Sequence, residues 1–339
     1  MKRIISIISV LCILVSLTAC GDNNMGTADE SNPPTNEVAT SQSETPTPTE
    51  LSPQINSSTQ IVTDNRITQY PISLESMVVK GEEGGDTLTG LQPLMKTEYT
   101  ASEKREGLSE EKLSHSHGPA SGGEPHHTVV KFQDTFDEFY AVTLDRVSEE
   151  KVLYLTFDCG YEHDNLTADI LDTLKEKQVP SAFFCTLDHI KSEPELISRM
   201  INEGHIVGNH STTHPSFAGI SRDKMAEEIE ITENYLRENY GYCARYFRFP
   251  AGEYTESALD LVASLGYVSV FWSVAYDDWN TDSIKGKDYA VETVTSRLHD
   301  GAVILLHSVS HDNAEALGEI IDRARAEGYE FRSLEQLKY

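Results

Sequence analysis

Apolar positions fall into three regimes along the chain. Residues 4–17 form one run, IISIISVLCILVSL, behind Lys2 and Arg3. The run is too short and wrongly flanked for a spanning helix, so it reads as a secretory signal. From Gly21 to about residue 60 the chain is Ser, Thr, Asn, Pro and Glu, as in SNPPTNEVATSQSETPTPTE. Such a segment buries too little apolar surface to offset its ordering entropy. Residues 61–112 scatter apolar positions among KGEEGGD and SEKREGLSEEK, extending a flexible, mostly disordered tether over 20–112. The third regime begins at about residue 113. VLYLTF (152–157) predicts a buried strand, and LTADILDTLKEK (166–177) places Ile170, Leu171 and Leu174 at helical spacing. SAFFC, HIVG, RYFRF, VSVFW, AVILLH and YEFRS then read as strands. Between them ELISRMINEG, KMAEEIEITENYLREN, ESALDLVASLG, YAVETVTSRLH and NAEALGEIIDRARAEG read as helices. This alternation predicts an α/β domain over 113–339 built on a parallel sheet, either open or closed as a barrel. In both cases the functional site belongs at the carboxyl ends of the strands.

Charge narrows the partners. A net charge of -28 has the wrong sign for phosphate backbones, so no nucleic acid is expected, nor a basic membrane-docking patch. Membrane attachment is expected by another route: Leu17, Thr18, Ala19 and Cys20 resemble a bacterial lipobox. That resemblance implies cleavage after residue 19, a lipid on Cys20, and an extracytoplasmic protein anchored to the membrane and facing the wall. Of five cysteines, Cys12 leaves with the signal and Cys20 carries lipid. Cys159, Cys185 and Cys243 remain, an odd set that leaves at least one thiol free.

Candidate chemistry gathers where the strands are predicted to end. Asp158 and Cys159 follow VLYLTF, and His210 and His214 follow HIVG in GNHSTTHP. Arg248 lies in RFP, Asp278 in DDW and His307 in LLH. On a helical turn, histidines four apart would share one face and could present two nitrogens to one metal. HSH (115–117) and HH (126–127) fall in an expected loop and are read as functionless.

In order and spacing, TFDCG, HSTTH, RFPAG, DDW and LLH resemble the five motifs of the polysaccharide deacetylases with the NodB homology domain, carbohydrate esterase family 4. YLTFDCGYE, FWSVAYDDW, IKGKDYA and LLHSVSHDNAEAL place the resemblance nearest the delta-lactam-biosynthetic muramic-acid de-N-acetylases. The resemblance implies a distorted (β/α) barrel of the NodB type and metal-dependent hydrolysis of N-acetyl groups on peptidoglycan glycan strands. It further implies His210 and His214 as ligands of a divalent metal, expected to be zinc, with Asp158 as general base held by Arg248. His307 would be the general acid oriented by Asp278, the backbone N–H of Ala251 an oxyanion donor, and Trp279 a wall of the substrate groove. A monomer is expected.

Three positions depart from the family pattern, and one of them, Ala251 in place of the aromatic that often follows Arg-x-Pro, is tolerable if only its backbone N–H is used. Cys159 stands where the family has a metal-binding aspartate; it could complete a Cys-His-His site, leave the metal to the histidines and water, or pair with Cys185 as a disulfide. Ala275 stands where the fourth motif often has aspartate. Three functions follow as expectations. The first is deacetylation of N-acetylmuramic acid residues lacking stem peptide. The second is deacetylation of N-acetylglucosamine in peptidoglycan or chitin-like oligomers. The third is an inactive wall-glycan-binding lipoprotein, against which the matched carboxylates, arginine and His307 speak.

Overall fold

Strand and helix alternate as the periodicity predicts. The computed structural model describes residues 105–338, so the signal segment, Cys20 and the tether up to residue 104 lie outside the described residues. The elements run β1 (Leu113–Ser114), α1 (His127–Phe136), β2 (Ala141–Val142), β3 (Val152–Cys159), α2 (Leu166–Lys177), β4 (Ser181–Cys185), α3 (Leu187–Ser192), α4 (Pro194–Asn202) and β5 (Ile206–Asn209). They continue with α5 (Arg222–Tyr240), β6 (Tyr246–Phe247), β7 (Glu253–Tyr254), α6 (Glu256–Ser264), β8 (Val268–Val270), α7 (Lys287–Thr295), β9 (Ala302–His307), α8 (His311–Ala326) and β10 (Glu330–Phe331).

The main sheet is parallel throughout, in the order β10-β3-β4-β5-β6-β8-β2, with β9 also paired to β3. It curls into a half-barrel. A bridge between Val274 and Ile304 returns the chain after β8 to β9, so the two flanks of the sheet meet. The curl gives the sheet an inside and an outside, and side-chain alternation along β3 sorts residues between them. Leu153, Leu155, Phe157 and Cys159 join the large core beneath the helices, whereas Val152 and Tyr154 join the smaller inner cluster.

Helix boundaries follow ordinary cap chemistry. Ser221 accepts the Lys224 N–H at the start of α5, and Gly241, at φ 60°, ends it. Ser310 accepts the Asn313 N–H at the start of α8, three residues after β9. Side-chain oxygens satisfy N–H groups that a first turn leaves unpaired, and glycine takes the left-handed C-terminal position without a Cβ clash.

Two expectations need correction. The helix α1, in an expected loop although Val129, Gln133 and Phe136 bury one face, and the short α3 are absent from the expected elements, as are the strands β1, β2 and β7, which form by tertiary pairing, as in β2 against β8. Residues 105–112, expected in the tether, are held to the domain. Arg105 bonds Asp260 at 2.7 Å and lies over the Phe139 ring, Lys112 pairs with Glu253 at 2.6 Å, and the Ser109 backbone donates to the Glu256 carboxylate and accepts the Ser257 N–H.

Candidate active site

At the carboxyl ends of β3, β5, β6 and β9 lies an open cavity of about 970 Å³. Asp158, His210, His214, Ala251, Trp279 and His307 all line it. Arg248 and Asp278 stand just behind, each bonded to one of these.

The first half of the site is a buried charge pair. Arg248, 0% exposed, donates from Nη1 to Asp158 Oδ1 at 2.8 Å and from Nη2 to Thr156 Oγ1 at 2.9 Å. Its Nε donates to Val270 O at 2.9 Å, and its guanidinium lies 4.1 Å from the Phe184 ring centroid. Burial by itself would raise the Asp158 pKa, but the Arg248 cation and the neighbouring histidines outweigh it and hold the carboxyl below its ordinary value. Asp158 is therefore an anion at neutral pH.

His210 Nδ1 donates to Arg248 O at 2.8 Å. That bond leaves Nε2 as the lone-pair nitrogen, 3.6 Å from Asp158 Oδ2. Burial lowers the His210 pKa to about 4 and lowers that of His214 as well, so both rings are neutral and able to bind a metal. The rings stand edge to face with centroids 4.8 Å apart. No helical turn brings them together, contrary to expectation. The segment is a loop in which Ser211 (φ 68°) and His214 (φ 57°) are both left-handed, pinned by Ser211 Oγ accepting the His214 N–H and by Glu228 accepting from Thr213.

The second half is a hydrogen-bonded relay. His307 Nδ1 donates to Asp278 Oδ1 at 2.7 Å, which leaves its Nε2 edge free of that carboxylate. Asp278 Oδ2 accepts the His307 backbone N–H at 2.8 Å and Asn313 Nδ2 at 2.6 Å. Asn313 in turn accepts from Tyr276 Oη at 2.6 Å. Burial favours a neutral His307, yet the Asp278 carboxylate, with help from Asp158, raises its pKa above 6.5.

Ala251 sits at φ 54° within a short turn, Pro250–Gly252. A non-glycine residue held left-handed beside a cavity is strained, and its small side chain leaves the backbone as what it offers there. Trp279 is 61% exposed and borders the cavity rather than the core.

Cys159 is the expectation that the geometry corrects. β3 runs two residues beyond the expected VLYLTF, and its ladder carries through Cys159, paired with Cys185. Alternation then turns Asp158 inward and Cys159 outward into the helix-side core. Cys159 does not line the cavity that His210 and His214 share; both it and Cys185 are free thiols.

Several residues at the site carried no usable sequence signal. His115 and His117 line the cavity, although HSH was read as functionless; His115 Nε2 meets Trp272 O at 2.7 Å. Asn313 reaches Asp278 from α8, and Tyr276, in the loop after β8, donates to Asn313. The HH pair serves α1, where His126 accepts the Thr128 N–H as cap.

The polysaccharide deacetylase family matches residues 145–270. The chain is 38% identical over 229 residues to the peptidoglycan-N-acetylmuramic acid deacetylase PdaA of Bacillus subtilis, covering 67% of this chain and 84% of that one. It is 31% identical over 205 residues to a peptidoglycan-N-acetylglucosamine deacetylase of Bacillus cereus, covering 58% and 72% respectively. The solved structure of Bacillus subtilis PdaA, a family 4 carbohydrate esterase, superposes with a TM-score of 0.65 at 36% identity over 68% of this chain and 98% of that one.

Proposed function

From the premise that this chain belongs to the polysaccharide deacetylases of carbohydrate esterase family 4, we propose that it removes the N-acetyl group of N-acetylmuramic acid residues lacking stem peptide. That it is a carbohydrate deacetylase follows from the family. The observation that carries the mechanism is the pairing of two unlike carboxylates across one cavity, Asp158 on a buried arginine and Asp278 on an imidazole.

Family members are metal-dependent. The donor set suits a divalent cation: two buried, neutral imidazoles facing one cavity, His210 with its Nε2 lone pair defined by the bond at Nδ1. His210 and His214 would hold the ion; Cys159 would not. When bound, the metal supplies Lewis-acid polarisation of the acetyl carbonyl.

The protein's own groups account for the proton movements. Asp158, kept anionic by Arg248, would take the proton of the attacking water. His307, kept cationic by Asp278, would deliver the proton on its far nitrogen to the departing sugar amine. The Ala251 backbone N–H would meet the developing oxyanion. Trp279 would cover a sugar face at the rim.

Support for muramic acid comes from the similarity to PdaA and from a recess of about 250 Å³ that shares His117, Ala275, Tyr276 and Asp277 with the main cavity. Arg297 enters this recess and donates from Nη1 to Ala275 O at 2.5 Å. Muramic acid differs from glucosamine by a 3-O-lactyl ether whose carboxylate is free only when no peptide is attached. A guanidinium beside Ala275, where an aspartate would oppose an anion, fits that group. Asp277 borders the same recess.

Acetate release from glycan strands with and without stem peptides tests the proposal. Release from stripped strands alone is expected. Release only from N-acetylglucosamine oligomers would replace it with the activity named for the Bacillus cereus relative. No described helix is long and apolar enough to cross a membrane. The family's work on wall glycan implies an extracytoplasmic protein, and a lipid on Cys20, proposed as its anchor, is tested by incorporation of labelled palmitate.

A further inference from the structure

On the face of β3 opposite to Asp158, β3 and β4 end in register on two cysteines. Cys159 and Cys185 are Cα partners across the parallel ladder. Both thiols are free and wholly buried. The short helix α3 brings His189 to them, and one ligand atom from each of the three residues lies within 4.8 Å of the others. His189 is 0% exposed, and neither of its ring nitrogens has a hydrogen-bond partner. It is the only histidine among the described residues with both nitrogens buried and unpartnered. A buried imidazole that satisfies neither nitrogen is costly, and its position beside two thiols gives it a use.

We propose that Cys159, Cys185 and His189 form a second metal site, taking a soft divalent d10 cation of the zinc class through two thiolates and one imidazole. The proposal is independent of the deacetylase reading. Tetrahedral ligation at about 2.0–2.3 Å places ligand atoms roughly 3.5–3.8 Å apart, so side-chain movements of up to about 1 Å close the three, now within 4.8 Å of one another, onto one ion. Charge and protons balance: two thiols each release one proton to solvent, and the two thiolates neutralise the dication. A neutral complex suits an apolar core, whereas a lone cation or thiolate does not. Burial keeps the ring neutral, with a pKa of about 4, and so leaves it a lone pair. The site would tie the ends of β3 and β4 together directly behind Asp158 and would fill as the chain folds.

Cadmium(II) is the probe, because thiolate ligation gives it an ultraviolet charge-transfer band that imidazole and carboxylate do not. The reduced, metal-free full chain carrying Cys12→Ser, Cys20→Ser and Cys243→Ser, which leaves two thiols, should develop the band and saturate it at one equivalent. His210→Gln with His214→Gln should leave the band intact. Cys185→Ala, a small apolar replacement, should abolish it, Cys159→Ala likewise, and His189→Gln should weaken binding at least tenfold. Zinc should compete for the band and raise the thermal midpoint of the parent but not of Cys185→Ala. Circular dichroism of each apo variant separates lost ligation from lost folding; if Cys185→Ala is unfolded, protection of the parent's two thiols from alkylation by zinc provides the same answer. A band that survives Cys185→Ala in folded protein, or absence of both band and alkylation protection in the parent, overturns the proposal. So does a Cys159–Cys185 disulfide in protein isolated from its native envelope.

Discussion

Asp158 lines the cavity and Asp278 stands just behind His307, and the opposite ways in which they are held explain how one site can run base and acid chemistry together. Asp158 is bonded to a wholly buried guanidinium whose other N–H groups go to Thr156, Val270 and Phe271. That cation never titrates in the working range, so the carboxylate stays charged and the pair acts as a fixed base. Asp278 gives both oxygens to His307 and Asn313, and its charge is spent on raising the pKa of an imidazole. Two carboxylates with unlike partners thus serve unlike roles, one as a base and one as the support of an acid.

The contrast can be broken from either side. Asp158→Asn keeps the shape and removes the proton acceptor. Loss of about 10²–10⁴-fold in kcat is expected, with an unchanged thermal midpoint excluding unfolding as the cause. Arg248→Met should act first on the fold. It removes the partner of a buried anion, at a cost of about 3–5 kcal/mol, read as an earlier denaturant midpoint.

Asp278→Asn probes the other half through pH. His307 titrates above 6.5 in the folded protein, so the cationic ring persists below that raised value and is lost as pH rises through it. The ion pair stabilises the fold fully below 6.5, and that contribution likewise fades as pH rises past the folded-state pKa. Removing the carboxylate should move the alkaline limb of kcat to lower pH and leave the acid limb of Asp158 in place. An unmoved alkaline limb would show that His307 does not need Asp278 to stay charged.

Smaller changes sharpen the picture. Arg297→Gln should lower kcat/KM about tenfold on stripped muramic-acid strands, near the worth of one charged hydrogen bond, and leave N-acetylglucosamine oligomers unaffected. Equal loss on both would assign Arg297 to the structure of the loop. Asn313→Ala should be mildest, costing about 1 kcal/mol with a slight downward shift of the same alkaline limb.

Much of this was legible in the chain. The strand-and-helix alternation from residue 152 onward was read with shifts of a few residues at element ends and without the short α3 and β7, and the motif residues lie at strand ends because a parallel sheet opens its carboxyl edge to ligands. The position of Cys159 was not, because the expected strand stopped at residue 157; two more residues of ladder reverse the reading, since each step along a strand changes the face. Arg105 and Ser109 looked like tether because their neighbours are polar. They join the domain through partners more than a hundred residues away.

By itself, then, the sequence determined what local period and residue type can encode: an α/β chain, the order of its elements, and a set of carboxylates, imidazoles and one arginine capable of hydrolysing an amide. Only the tertiary structure decided who faces whom. Arg248 meets Asp158 across 90 positions and Asn313 meets Asp278 across 35, while His115 reaches Trp272 across 157. Those pairings depend on sheet order, curl and register, which arise from the packing of the whole core and leave no mark in any short window of sequence.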